Sequence, residues 1–122
     1  MHLFGIAHCD TVKRSRAWLV QQGVEAVFHD YKKAGVPPEA LDRWLAALGW
    51  QPLVNRQGST WRKLDAAAQA AVIDANSARA LMLAHPSVIK RPVVEWPDGA
   101  VTLGFDAAAW ASRLQRRPGP AR

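Results

Sequence analysis

The apolar positions change period several times along the chain, and each change marks an element. Residues 2 to 7, HLFGIA, form a short apolar run of the kind a buried strand shows. From 11 to 22 the pattern predicts a helix, with Asp10 or Thr11 supplying an N-cap oxygen and Gly23 the stop. Residues 24 to 31, VEAVFHDY, alternate and are rich in β-branched and aromatic side chains, so a second strand is expected. Strand, helix and strand within about thirty residues suggest a parallel βαβ unit.

Pro37 and Pro38 then suit a loop and a first helical turn, and Leu41, Trp44, Leu45 and Leu48 follow as one apolar stripe that Gly49 ends. Residues 52 to 62, PLVNRQGSTWR, read as turn-like and polar. The Ala-rich stretch from Leu64 to Pro86 predicts two helices broken near Asp74 to Ser77, with Pro86 as terminator. RPVVEWPDGAVTLGF reads as a β-hairpin around Pro97, Asp98 and Gly99, and Asp106 can cap a last helix carrying Ala107, Trp110, Ala111 and Leu114. The order is βαβ, a helical block, then ββα. Such a chain forms an α/β, thioredoxin-like (glutaredoxin-like) fold: a four-stranded mixed sheet with a helical insertion between βαβ and ββα.

A length of 122 residues fits one domain with its own core, and a hydrophobic share of 49% marks a folded chain. Three of the six tryptophans, Trp18, Trp44 and Trp110, fall within helices whose other apolar residues face a core. The net charge of +6 comes partly from Arg113, Arg116, Arg117 and Arg122 near the end, which read as a solvated tail. The expected domain is 1–115, with 116–122 a disordered basic tail and no direct nucleic-acid binding. No charged start precedes a long apolar region, and no apolar run reaches the roughly 18 residues of a membrane span. With a single cysteine, the chain is expected in a reducing compartment, the cytoplasm. His2, His8, His29 and His85 with one Cys show no metal-ligand spacing, no Gly-rich phosphate loop occurs, and nothing demands more than a monomer.

The remaining chemistry lies in three clusters. Cys9 stands between the first strand and the first helix, where helix N–H groups and the dipole favour a thiolate, and Lys13 and Arg14 add positive charge. Read alone, it is either a reactive thiolate or a buried cysteine acting as a small apolar residue. No CxxC pair is present, because Val12 takes the fourth place, so any disulfide of Cys9 forms with another molecule. Pro92, after Arg91 at the start of the third strand, is either an ordinary trans edge proline or a cis proline that turns the chain sharply. Arg56, Arg62 and Lys63, in a Gly-containing segment, could hold an oxyanion or simply face solvent.

The segments GIAHCDTVKRSRAWL, FHDYKKAG, LGWQPLVNRQGSTWRKLD and HPSVIKRPVV, with LGF near the end, resemble in order and spacing the arsenate reductase ArsC/Spx family, and most closely its small YffB-like branch. The resemblance covers residues 1 to 115. It implies that Cys9 is the nucleophile, that Pro92 is the cis-proline facing it, and that Arg91 holds an oxyanion beside the thiolate. Arg56 or its neighbour Asn55 would be a second anion ligand, and Thr11 and Lys13 would complete the substrate or glutathione site. Two departures matter: Phe105 stands where the arsenate reductases carry a further arginine, and Val12 replaces the second cysteine of the Spx switch. The expectation is therefore a glutathione-dependent thiol oxidoreductase with a single nucleophilic cysteine and no bound cofactor, glutathione serving as co-substrate. The alternatives are an arsenate reductase linked to glutathione and glutaredoxin, or a module that binds RNA polymerase.

Overall fold

The fold is described by a computed structural model for residues 1–116. Strand β1 (His2–Gly5) leads through a short turn into helix α1 (Asp10–Gln21), and β2 (Val27–Asp30) returns beside it. A helical block follows: α2 (Tyr31–Ala34), α3 (Pro38–Leu48), α4 (Ser59–Lys63), α5 (Ala66–Ala70) and α6 (Ala75–Ala84), then a 3-10 turn at Pro86–Val88. The chain ends in the hairpin β3 (Val93–Glu95) and β4 (Val101–Leu103) and in α7 (Ala107–Arg116). The mixed sheet has the order β2-β1-β3-β4, with β1 parallel to β2 and antiparallel to β3. It is the thioredoxin-like layout expected from the sequence.

The alternation of side chains across β1 divides the core in two. Phe4 faces the helical block and packs with Trp44, Leu41, Met82 and Ile89, all fully buried or nearly so. Leu3 faces the opposite way, with Val94, Val12, Leu19 and Trp110 under α1 and α7. The half-buried Cys9 is packed against both clusters. Trp44 lies wholly inside, and its indole N–H donates to Glu95 Oε2 at 3.0 Å, while Arg43 holds the same carboxylate. This pairing satisfies the one polar atom that Trp44 carries into the core.

Several boundaries differ from the sequence reading. The second strand starts at Val27 rather than residue 24, because Gly23 turns the chain at φ +69° and the Val24 N–H donates back to Leu19 O. Tyr31 belongs to the short α2, where Asp30 caps the Lys32 amide. Within the segment read as turn-like, Ser59–Lys63 forms α4, and Val54 bridges to Ile89. The break in the Ala-rich stretch lies before Asp74, not across Asp74 to Ser77. Those two residues form a reciprocal capping box that starts α6. Asp106 caps α7 through the Ala109 amide at 3.0 Å, and that helix continues to Arg116, one residue into the segment expected as tail. Residues 117–122, the rest of that tail, lie outside the described residues. Among the described residues no helix is long and apolar enough to cross a membrane.

Candidate active site

Cys9 is itself the N-cap of α1, in place of the Asp10 or Thr11 expected there. Two local features put it in that position. The Cys9 N–H donates to Ile6 O at 3.0 Å, closing the turn after β1, and its carbonyl accepts from the Lys13 N–H at 2.9 Å, opening the helix. Gly5 then allows β1 to run close against α1: a methyl at residue 5 would lie 2.8 Å from Val12 Cγ2. The thiol is thereby held at the end of the helix where unpaired N–H groups and the positive dipole end gather.

A cleft of about 500 Å³ opens around the sulfur. Thr11 and Arg14 line it from α1, Asn55 from the loop after α3, and Lys90 and Arg91 from the segment before β3. Leu103 to Asp106 form the remaining wall. The Arg91–Pro92 peptide is cis, as the resemblance implies, and Pro92 is fully buried. The Pro92 carbonyl accepts from the Gly104 N–H at 2.9 Å, which ties the β4 end of the wall to the β3 end. Gly104 sits at φ +77°, a conformation that glycine adopts without steric cost.

Burial pushes the Cys9 thiol up, but the backbone N–H of Val12, the Arg91 guanidinium and the backbone N–H of Thr11 outweigh it. The net result is a thiol below its ordinary value, one that ionises more readily than a free cysteine. The neutral side chain makes no capping hydrogen bond, so these groups act on the thiolate more than on the thiol. Arg91 is fixed by a 2.7 Å hydrogen bond from Nη1 to Ser87 O, and its Nε is buried with no partner. An unmet donor on the residue that faces the sulfur suits a centre where negative charge develops.

Of the residues singled out in the sequence, Cys9, Thr11, Asn55 and Arg91 line the cleft, with the buried Pro92 directly after Arg91. Arg56 and Lys13 do not. Asn55 makes an Asx turn with the Gln57 amide at 3.1 Å, and the next residue, Arg56, turns out to lie over the Trp50 and Trp61 rings. Asn55, the competitor for that position, is the one at the cleft. Lys13 is exposed, next to the buried face of α1 made by Val12, Ser15 and Leu19, so the cation acting on the thiolate is Arg91. Arg14, expected with Lys13 to add positive charge beside Cys9, does line the cleft; Lys90 was not singled out, and the signal that could have found it is its place directly before Arg91. Phe105, noted as a departure, does form part of the wall.

A four-stranded mixed sheet with a helical block between its βαβ and ββα parts, and a cysteine capping the first helix, define a thioredoxin-like protein. The ArsC family model matches residues 4–112, and the chain belongs to that family. A solved structure named YFFB (PA3664) protein is 47% identical, covers 91% of this chain and 96% of its own, and superposes with a TM-score of 0.83. An arsenate reductase (ArsC) related protein from Brucella melitensis is 46% identical over 93% of both chains, with a TM-score of 0.72. An uncharacterized protein of Haemophilus influenzae is 35% identical over 104 residues, covering 85% of this chain and 90% of that protein. The arsenate reductase of Vibrio cholerae, at 20% identity and a TM-score of 0.72, shares the fold.

Proposed function

We propose that this protein is a thiol oxidoreductase that works with Cys9 alone and takes its reducing equivalents from glutathione. The observation that supports this most is a half-exposed thiol, held below its ordinary pKa, in a cleft lined by Arg14, Lys90 and Arg91. The Cys9 thiolate attacks the glutathionyl sulfur of a mixed disulfide GS–SR. The S–S bond breaks, Cys9–S–SG forms, and RS⁻ leaves to take up a proton from water. A second glutathione thiolate then attacks Cys9–S–SG, releasing oxidised glutathione and restoring the Cys9 thiolate. The net exchange reduces RS–SG to RSH and oxidises one glutathione.

Arg14 and Lys90 hold the glutathione carboxylates, Thr11 and Asn55 supply hydrogen bonds, and Arg91 stabilises the thiolate as attacking and leaving group. The Phe105 ring on the wall offers apolar surface where a guanidinium would serve a compact oxyanion. It favours a thiol ligand with an apolar body over arsenate. The three cations keep arsenate as the second reading. Turnover of arsenate with glutathione and glutaredoxin would establish it, and an inactive protein in that assay would remove it.

The test is mass spectrometry of the protein incubated with oxidised glutathione, with Cys9→Ser as control, from about pH 5 to pH 9. The expected result is a glutathione adduct on Cys9 whose formation rate titrates well below about 8.5, the value of a free cysteine. No adduct, or one that forms only at high pH, would overturn the reading.

A further inference from the structure

One residue outside the cleft, the chain presents cations and indoles that the reaction at Cys9 does not use. Arg56 is exposed, and its guanidinium lies 5.8 Å from the centre of the Trp50 ring and 5.5 Å from that of the Trp61 ring. Both indoles are half-buried and packed against the core cluster of Phe4 and Trp44. Such stacking fixes the place of a guanidinium and leaves its N–H edge to bind something else. Arg62 and Lys63, on α4, are exposed too. Arg43, Arg79 and Arg113 each face a carboxylate, but among the described residues Arg56, Arg62 and Lys63 do not. The nearest acid along the chain, Asp65, caps the Ala68 amide at 2.7 Å. The patch is also tied to the site. The Asn55 N–H donates to Val88 O at 2.8 Å and the Lys90 N–H to Leu53 O at 2.9 Å, so this loop and the segment leading to Arg91 are held together. Asn55 lines the cleft, and Arg56 follows it directly.

We infer that Arg56, Arg62 and Lys63, with the Trp50 and Trp61 rings, form a docking surface for an acidic stretch of polypeptide, and that the disulfide brought to Cys9 is carried by a protein cysteine. The inference rests on the reading of Cys9 as a glutathione-linked thiol and names the RS group of its substrate RS–SG. With the glutathionyl group in the cleft, a patch that begins one residue beyond is placed to meet the group on the other sulfur. Three cations with no carboxylate of their own complement acidic side chains, and Trp and Arg are the residues on which protein interfaces most depend. A nucleic acid would match the charge but brings no sulfur for Cys9 to attack. The RS⁻ that leaves is then the thiolate of the bound protein's cysteine, and it takes up a proton from water.

The experiment compares three glutathionylated substrates in a glutathione-coupled assay. One is a peptide with aspartates and glutamates around a single cysteine, the second is the same peptide with asparagine and glutamine in their place, and the third is mercaptoethanol. For wild type, kcat/KM on the acidic peptide is expected to exceed that on the neutral one by about three- to thirtyfold at low salt, since exposed charge pairs give up to about fivefold each. The two should converge at about 0.5 M salt. Arg56→Gln keeps an aliphatic stem on the indoles and removes the charge. It should lower the preference by about two- to fivefold and leave turnover of glutathionylated mercaptoethanol within about twofold. Arg62→Gln combined with Lys63→Gln is the second test and should lower the preference without touching the indoles. Equal turnover of the two peptides by wild type, or a preference that survives all three substitutions, would overturn the docking surface while leaving the thiol reductase intact. A single-stranded oligonucleotide whose binding Arg56→Gln weakens, with the two peptides turned over alike, would overturn it in favour of nucleic acid. Turnover of none of the three substrates would remove the reductase itself, and the inference with it.

Discussion

At Gly5 the sheet runs close against the first helix, and replacing it with alanine tests whether that approach holds the site together. The new methyl would stand 2.8 Å from Val12 Cγ2 and 3.3 Å from Val12 Cγ1. Carbon pairs are most favourable at about 3.5–4.0 Å, so the closer contact must open by roughly 0.7–1.2 Å. Val12 is 0% exposed, and as a β-branched helical residue it holds one χ1 rotamer, so it cannot swing aside. The helix has to move relative to β1. Overpacking of this kind costs about 1–3 kcal/mol, and an immobile neighbour places Gly5→Ala in the upper half of that range. Because Cys9 caps the same helix, its alkylation rate should change along with stability. Urea unfolding followed by far-ultraviolet circular dichroism measures the cost, with m unchanged. Val12→Ala removes both clashing carbons, so the double variant should be less destabilised than the summed singles by about 1 kcal/mol or more. A Gly5→Ala cost below about 0.5 kcal/mol, or strict additivity with Val12→Ala, would refute the reasoning.

Two further outcomes are expected. Folding holds the Cys9 thiol below the ordinary free-thiol value of about 8.5, so ionisation favours the folded state. That contribution is full above the unfolded pKa, declines as pH falls between the two values, and is gone below the folded one. Stability of wild type relative to Cys9→Ser should therefore rise with pH toward about 8.5 and level off beyond it; a difference that stays flat or falls would contradict the lowered thiol. In a glutathione-coupled assay, Arg14→Ala and Lys90→Ala should each raise KM for glutathione roughly three- to tenfold with little change in kcat, whereas Arg56→Ala and Lys13→Ala should leave both within about twofold. A larger effect from Arg56 than from Lys90 would mean that the cleft is not where glutathione sits.

The architecture was legible because the long elements carry their own period. The positive-φ glycines at 23 and 49 and the aspartate before α7 also mark element ends. What escaped were pieces only four or five residues long, α2 and α4, which have too few turns to show a helical repeat. Within the site, Cys9, Thr11 and Arg91 were readable because their positions follow from chain neighbours: the strand end, the helix start and the proline. Arg56 was not, because an Asx turn at Asn55 decides which of two consecutive residues faces inward, and sequence alone does not rank them. Lys13 and Arg14 are likewise consecutive, and only the packing of Val12 and Ser15 determines that Arg14 reaches the cleft.

The Phe105 ring has one side on the cleft and the other against indoles: it meets Trp110 at 4.8 Å and Trp18 at 6.0 Å, both edge-on. Trp110 in turn touches Trp96 at 5.5 Å. A molecule that enters the cleft and displaces that ring changes the surroundings of chromophores that it never touches. Binding that moves Phe105 would therefore be read in the intrinsic emission of the protein, without a label, a coupled enzyme or an identified substrate.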